Sequence, residues 1–188
     1  ELFADAPELG RVALEKRLPD FKREMAAASR AAQTAQTAGR IGVRQGKVSE
    51  FTLIFPFAKG GAARLRAILQ MRNGNFELAD LVGTIHDMRF VFLDNDTKLL
   101  FATAYDGDWD AYIDDFVTKI PDDMDMIFSA VEGYPGLRSP TVKDWIVNHA
   151  QVQAEGWYVA HPDLTVAEIH RLKRIGKAVD EFLDKVGG

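Results

Sequence analysis

The amino-acid sequence predicts an α+β fold, in which an antiparallel sheet carries helices on one of its faces. Two observations indicate this class. Short runs rich in aromatic and branched residues recur along the chain, bounded by turn-forming residues, as is typical of strands. Between them lie segments with an apolar residue at every third or fourth position, which is the spacing of amphipathic helices. The length of 188 residues suits one domain with an extension.

The amino-terminal quarter is predicted to lie outside the main domain. Residues 7–32 have the apolar spacing of a helix, interrupted by Pro19. The stretch that follows is poor in large apolar residues and ends in glycines and basic residues, which is typical of a linker. We therefore assign residues 1–47 to a helix and linker, and residues 48–188 to the domain.

Six elements then follow in the order β-α-β-β-α-β. One helix is predicted after the glycines near residue 60, and the other begins near Asp108 and buries an aromatic face. This is the order of the ferredoxin-like fold, in which a four-stranded antiparallel sheet carries both helices on one face. The predicted strands are FTLIFPF (51–57), LVGTIHDMRFVFLD (81–94), KLLFATAY (98–105) and DMIFSAVEGY (125–134).

The carboxy-terminal residues predict an α-β-α extension. Ser139 and Pro140 are suited to the start of a helix, and GWYVA (156–160) has the composition of a fifth strand. TVAE (165–168) is a capping box that opens a last helix. The apolar residues predicted to face inward on that helix are Ile169, Leu172, Ile175, Val179, Phe182 and Val186.

Composition excludes several classes of function. A net charge of −5 argues against a nucleic-acid-binding protein, because a phosphate footprint needs a basic surplus. The absence of cysteine excludes disulfides, thiolate metal sites and cysteine nucleophiles, and it fits a cytoplasmic location. No apolar run reaches the length of about 20 residues that spans a bilayer, so we expect no membrane span.

The predicted strand over residues 81–94 contains a histidine suited to chemistry. Strand side chains alternate between faces, so His86 shares a face with Met88 and Phe90, and Arg89 points the other way unless a bulge intervenes. On a functional interpretation, His86 is an acid, a base or a metal ligand in a pocket beside Met88 and Phe90. On a structural interpretation, nearby backbone or a carboxylate satisfies its ring nitrogens.

Three more residues complete the candidate catalytic set with His86, namely Arg89, Tyr105 and Asp106. Arg89 and Asp106 each have a structural alternative. Arg89 suits an ion pair with Asp87, with Asp106 or with a helix end. Asp106 suits the amino-terminal cap of the helix that follows it. No two histidines stand three or four residues apart, so the sequence indicates no dedicated metal site.

Three stretches carry a family resemblance: FPFAKGGAARLRAIL, GTIHDMRFVFLD and LLFATAYDGDWDAYIDDF. They resemble ferredoxin-like domains of the dimeric α/β-barrel superfamily. That superfamily includes dye-decolourising peroxidases, chlorite dismutase-like heme proteins and small cofactor-free monooxygenases. The similarity is greatest to a bacterial group whose second strand reads I-H-x-x-R-F and whose second helix opens with D-G.

The resemblance implies a homodimer or higher oligomer, in which sheet faces close around a small apolar ligand. It implies an oxidoreductase of peroxidase or monooxygenase type, with heme as the cofactor in the first case. Heme peroxidases of the superfamily take their axial histidine from a helix, so His149, on the apolar face of a predicted helix, is the candidate heme ligand. The alternatives are a non-catalytic dimeric interaction or ligand-binding module and a cofactor-free isomerase.

Overall fold

The computed structural model describes residues 6–28, 36–149 and 151–187. The chain divides into two compact units, Glu1–Thr34 and Ala35–Gly188. The first unit contains α1 (Glu8–Ala28), with Pro19 inside it, where the sequence predicts a helix. The second unit begins before residue 48, because residues within the predicted linker form two short strands of the sheet.

The second unit is built on an antiparallel sheet, to which six strands of the described chain contribute. The strand order is β1-β2-β3-β5-β4, and β6 pairs with β3 beside β2. The central strand β5 pairs along its full length with β3 on one side and β4 on the other. The strands are β1 (Gln36–Thr37), β2 (Val43–Gln45), β3 (Val48–Pro56), β4 (Ile85–Leu93), β5 (Lys98–Asp106) and β6 (Gln151–Val152).

The helices of this unit confirm the α+β class. They are α2 (Gly61–Arg72), α3 (Glu77–Val82), α4 (Trp109–Lys119), α5 (Pro121–Phe128), α6 (Val142–His149) and α7 (Val166–Val186). The elements β3, α2, β4, β5 and α4 occur where the sequence predicts them, except that residues 81–82, predicted to begin the second strand, belong to α3. None of the described helices has the length and apolar character needed to cross a membrane.

The sixth predicted element is wrong. Residues 125–134, predicted as a strand, belong to α5 and the turn after it, and only Val131 forms a single bridge, to Phe57. Pro121 occupies the first turn of α5, and the buried Met124 and Phe128 recur at helical spacing. Within the described chain, β2 and β6 occupy the edge of β3 that the fourth ferredoxin-like strand would take.

One face of the sheet carries the hydrophobic core. Phe51 lies at its centre, with edge-to-face contacts to the rings of Phe101, Tyr105, Trp109 and Tyr112. Leu65 of α2 and the apolar faces of α4 and α5 belong to the same buried cluster. The opposite face of β3, β5 and β4, which we call the open face, contributes little to this cluster.

The carboxy-terminal extension differs from its prediction in two respects. Residues 156–160 are irregular and do not form a strand. The capping box at Thr165 and Glu168 is confirmed, but no residue of α7 is buried, so its apolar side chains do not face a core. An amphipathic pattern fixes which residues share a face of a helix, and it does not fix what covers that face.

We expect Phe51→Ala to lower the free energy of unfolding by about 3–5 kcal/mol, because it removes a ring from the centre of the aromatic cluster and leaves a cavity. Urea unfolding followed by tryptophan fluorescence measures the change. The control is Val91→Ala on the open face, where the valine is 42% exposed. Equal losses in the two variants would contradict this placement of the core.

Candidate functional site

A β-bulge at the start of β4 determines where His86 lies. Ile85 pairs with Tyr105 and Asp87 pairs with Ala104, so His86 is an extra residue opposite the regular strand β5. A bulge shifts the alternation of side chains by one position. As a result His86 lines a cavity on the open face together with Arg89, and not a pocket beside Met88 and Phe90. The latter two residues pack against the core.

The cavity on the open face has a volume of about 460 Å³. Its floor is a sheet surface with small side chains at Ala102 and Ala104. Residues 157–161 and Ile169 of α7 supply apolar and aromatic side chains to the lining. The polar side chains in the lining are those of Glu50, His86, Asp87, Arg89, Tyr158 and His161.

His86 and Asp106 form a hydrogen-bonded pair at the edge of this cavity. The distance from His86 Nε2 to Asp106 Oδ1 is 2.7 Å, and their side chains are 17% and 12% exposed. Since a carboxylate only accepts hydrogen bonds, Nε2 carries the proton of this contact. In the neutral ring, Nδ1 is then the nitrogen able to accept a proton.

The second oxygen of Asp106 has a different partner. Oδ2 accepts a hydrogen bond of 2.9 Å from the backbone N–H of Val166, the first residue of α7. Asp106 therefore satisfies the amino terminus of α7, and not that of α4 as the structural alternative supposed. One carboxylate thus orients the His86 ring and holds the start of the last helix beside the cavity.

Other contacts attach the irregular segment to the sheet. Gln45 Nε2 donates a hydrogen bond of 3.0 Å to the carbonyl oxygen of Trp157. The backbone N–H of Lys47 donates a hydrogen bond of 2.7 Å to the carbonyl oxygen of Pro162. Lys47 Nζ also lies 2.7 Å from Glu168 Oε1, and this hydrogen bond, with those from Thr165, lowers the pKa of Glu168 to about 2. This wall of the cavity is therefore held at several points.

Glu50 is a buried carboxyl group in the cavity lining. The residue is 5% exposed, and Oε2 lies 3.4 Å from the Thr52 hydroxyl oxygen. Oε1 has no hydrogen-bond partner among the described residues. Burial raises the pKa of Glu50 above its ordinary value, and hydrogen bonds from Val43 and Thr52 offset part of that effect. The neutral acid, which can donate a hydrogen bond, is thereby favoured.

Arg89 forms an ion pair with Asp87, as the structural interpretation of this residue predicts. Nε lies 2.8 Å from Asp87 Oδ2, and the Arg89 side chain is 63% exposed. An exposed pair of this kind contributes little to stability. Arg89 is therefore a charged group at the rim of the cavity, with its carboxylate partner beside it.

The remaining candidates do not join this site. Tyr105 is fully buried on the core face, where its ring stacks on Tyr112 with 3.9 Å between the ring centroids. His149 is the last residue of α6, and its side chain lies outside the described residues. Glu50 was not among the predicted site residues. The signal for it in the sequence is a carboxylate directly before the apolar run that begins at Phe51.

His86 is not placed to bind heme iron through Nε2. His86 Nε2 already donates to Asp106, and the buried carboxyl group of Glu50 lies in the same lining. No group of three or more histidine, aspartate or glutamate side chains among the described residues is arranged to hold a metal ion. The geometry supports acid–base chemistry by the side chains themselves.

We expect Asp106→Ala to lower the free energy of unfolding by about 1–3 kcal/mol, because it removes the partner of both the His86 ring and the Val166 N–H. Chemical denaturation at neutral pH measures this loss. Asp108→Ala, which removes an exposed carboxylate paired with Arg44, is the matched control and should cost less than about 0.5 kcal/mol. A result within error of the control would contradict the bridging role of Asp106.

We expect Glu50→Gln to raise the melting temperature relative to wild type by an amount that grows as the pH rises above about 4.5, and to leave it nearly unchanged near pH 4. The folded protein holds the Glu50 proton to a higher pH than the unfolded chain, whose pKa is near 4.5. Stability is therefore full below that value and is lost as the pH rises through the folded pKa. Thermal unfolding at a series of pH values tests this, with Glu132→Gln on the surface as the control. A parallel pH dependence in wild type and Glu50→Gln would contradict it.

Comparison with known proteins adds no relative of this chain. Neither the family models, nor the curated proteins, nor the solved structures contain a match to it.

Proposed function

We propose that this protein binds a small organic molecule on the open face of its sheet and that His86 transfers a proton to or from it. The reaction class that fits best is proton transfer without a resident cofactor, as in an isomerase or a cofactor-free monooxygenase. A heme-dependent peroxidase fits less well, because Asp106 occupies the nitrogen of His86 that most often binds heme iron.

The observation that carries this proposal is the bulge at His86. A bulge next to a functional site commonly redirects one side chain, and here it brings a histidine to a cavity of about 460 Å³. That volume lies within the range of small-molecule sites, and the lining combines an apolar floor with a few polar groups. A histidine oriented by a carboxylate is a common arrangement for a general base.

The other polar groups supply complementary roles. Glu50, whose neutral form is favoured by burial, is suited to donate a hydrogen bond to oxygen on which negative charge develops. The nearby Arg89 guanidinium is suited to attract a carbonyl or an anionic substituent at the rim. The substrate class is therefore an apolar ketone, enol or phenol, in which a proton on carbon or oxygen moves.

The superfamily resemblance belongs to the same proposal. Support for it comes from the order β3-α2-β4-β5, with β5 lying between the other two strands in the sheet. The proposal also includes a location in the cytoplasm, which the cysteine-free composition supports. It includes a homodimeric state, which the exposed apolar surface of α7 supports.

The test uses aromatic and alicyclic ketones, with acetophenone and cyclohexanone as the first probes. In heavy water, we expect the enzyme to exchange hydrogen for deuterium on the carbon next to the carbonyl group of the probe. Proton NMR measures this exchange as the loss of the corresponding proton signal. His86→Gln should slow this exchange by about 100-fold, because Gln retains a hydrogen bond and loses the basic nitrogen. His170→Gln, in an exposed position on α7, is the control. This variant should catalyse the exchange of the probe at the wild-type rate.

Binding is measured separately from exchange. Amide chemical shifts of Ala102, Ala104 and Val159 should move on addition of the probes, and Ala104→Trp should abolish these shifts by filling the cavity. Binding that persists in Ala104→Trp would show that the ligand lies elsewhere. Exchange that is equal in wild type and His86→Gln would overturn the catalytic role and leave a ligand-binding protein.

A further inference from the structure

We infer that α7 is a self-association surface, on which two copies of this chain pair in antiparallel orientation. The helix has 21 residues, none of them buried. Six large apolar side chains are between 44% and 62% exposed: Leu172, Ile175, Val179, Phe182, Leu183 and Val186. A surface helix normally turns such side chains towards a core, so this face lacks a cover within the described chain.

The spacing of these side chains fits a helix as the partner. Leu172, Ile175, Val179, Phe182 and Val186 follow one another at intervals of three, four, three and four residues. This alternation produces a narrow seam along a helix, about 21 Å long at 1.5 Å per residue. A seam of this shape is suited to pack against a second helix rather than against a flat sheet.

Gly176 indicates how close the partner comes. It lies in the interior of α7, where glycine costs about 1 kcal/mol relative to alanine, and no atom lies within 4 Å of the position of a Cβ. No contact among the described residues explains this choice. Val179 is the midpoint of the seam, so in an antiparallel pair that crosses there Gly176 of one copy faces Phe182 of the other. The missing side chain makes room for the ring.

The charges along α7 favour the antiparallel orientation. The segment 171–177 carries four cations, and the segment 180–185 carries three carboxylates and one lysine. An antiparallel pair places the basic half of one helix beside the acidic half of the other. A parallel pair would place like charges together, and it would also align the two helix dipoles unfavourably.

The test uses sedimentation of the full chain from about 1 to about 500 µM, because a contact of this length lies at the small end of specific interfaces, below about 1,200 Å² in total. We expect a reversible monomer–dimer equilibrium. Val179→Glu should raise the dimer Kd by at least about 10-fold, because it buries an unpaired charge at the midpoint. The matched control is His170→Glu, nine residues away and on the opposite side of the helix, which should leave the Kd unchanged.

Orientation is tested by chemical cross-linking, which the cysteine-free chain makes specific. Leu172→Cys and Val186→Cys are made separately and treated with a short bis-maleimide. In the antiparallel pair, a mixture of the two variants gives cross-linked dimers, and each variant alone gives few. Cross-linking of each variant with itself would overturn the orientation. A monomer at every concentration would overturn the self-association itself, whatever the outcome of the ligand experiments.

Discussion

The structure depends on the pairing of β5 with β3 on one side and β4 on the other. This strand is hydrogen-bonded along both edges, so its alternating side chains supply the middle of both sheet faces. Phe101 and Tyr105 enter the core, while Ala102 and Ala104 lie on the open face. The alternation of side chains along β5 therefore places aromatic rings in the core on one face of the sheet. On the other face it places small side chains, which leave space for a cavity.

Much of this arrangement can be predicted from the sequence, because it follows local rules. The aromatic and branched runs of β3, β4 and β5 indicate strands, the faces of α2 and α4 indicate helices, and Thr165 with Glu168 indicates the start of α7. The failure at residues 125–134 has a physical cause. A short apolar run fits a buried strand as well as a buried helix, and tertiary contacts decide between them. Here β2 and β6 already occupy the edge that a further strand would need.

The site is less predictable than the fold. Sequence alternation places His86 on the same face as Met88 and Phe90, and only the pairing of Ile85 and Asp87 with β5 reveals the bulge that moves it to the open face. Val166, whose backbone N–H donates to Asp106, is 60 residues away along the chain, and no local pattern connects the two. Glu50 requires knowledge of burial, because its altered pKa comes from what surrounds it and not from its neighbours in sequence.

Asp106 connects two groups that are far apart in the sequence, the ring of His86 and the start of α7. Its two oxygens serve different donors, the ring of His86 and the first backbone N–H of α7. A change in the protonation of His86 alters the charge that this carboxylate faces, and a displacement of α7 alters the hydrogen bond on its other oxygen. This coupling is reciprocal, so the free energy by which the position of α7 favours one protonation state of His86 equals the free energy by which that protonation state favours that position of α7. The chemical state of the cavity and the position of an exposed helix are therefore linked variables, with a single side chain as the link.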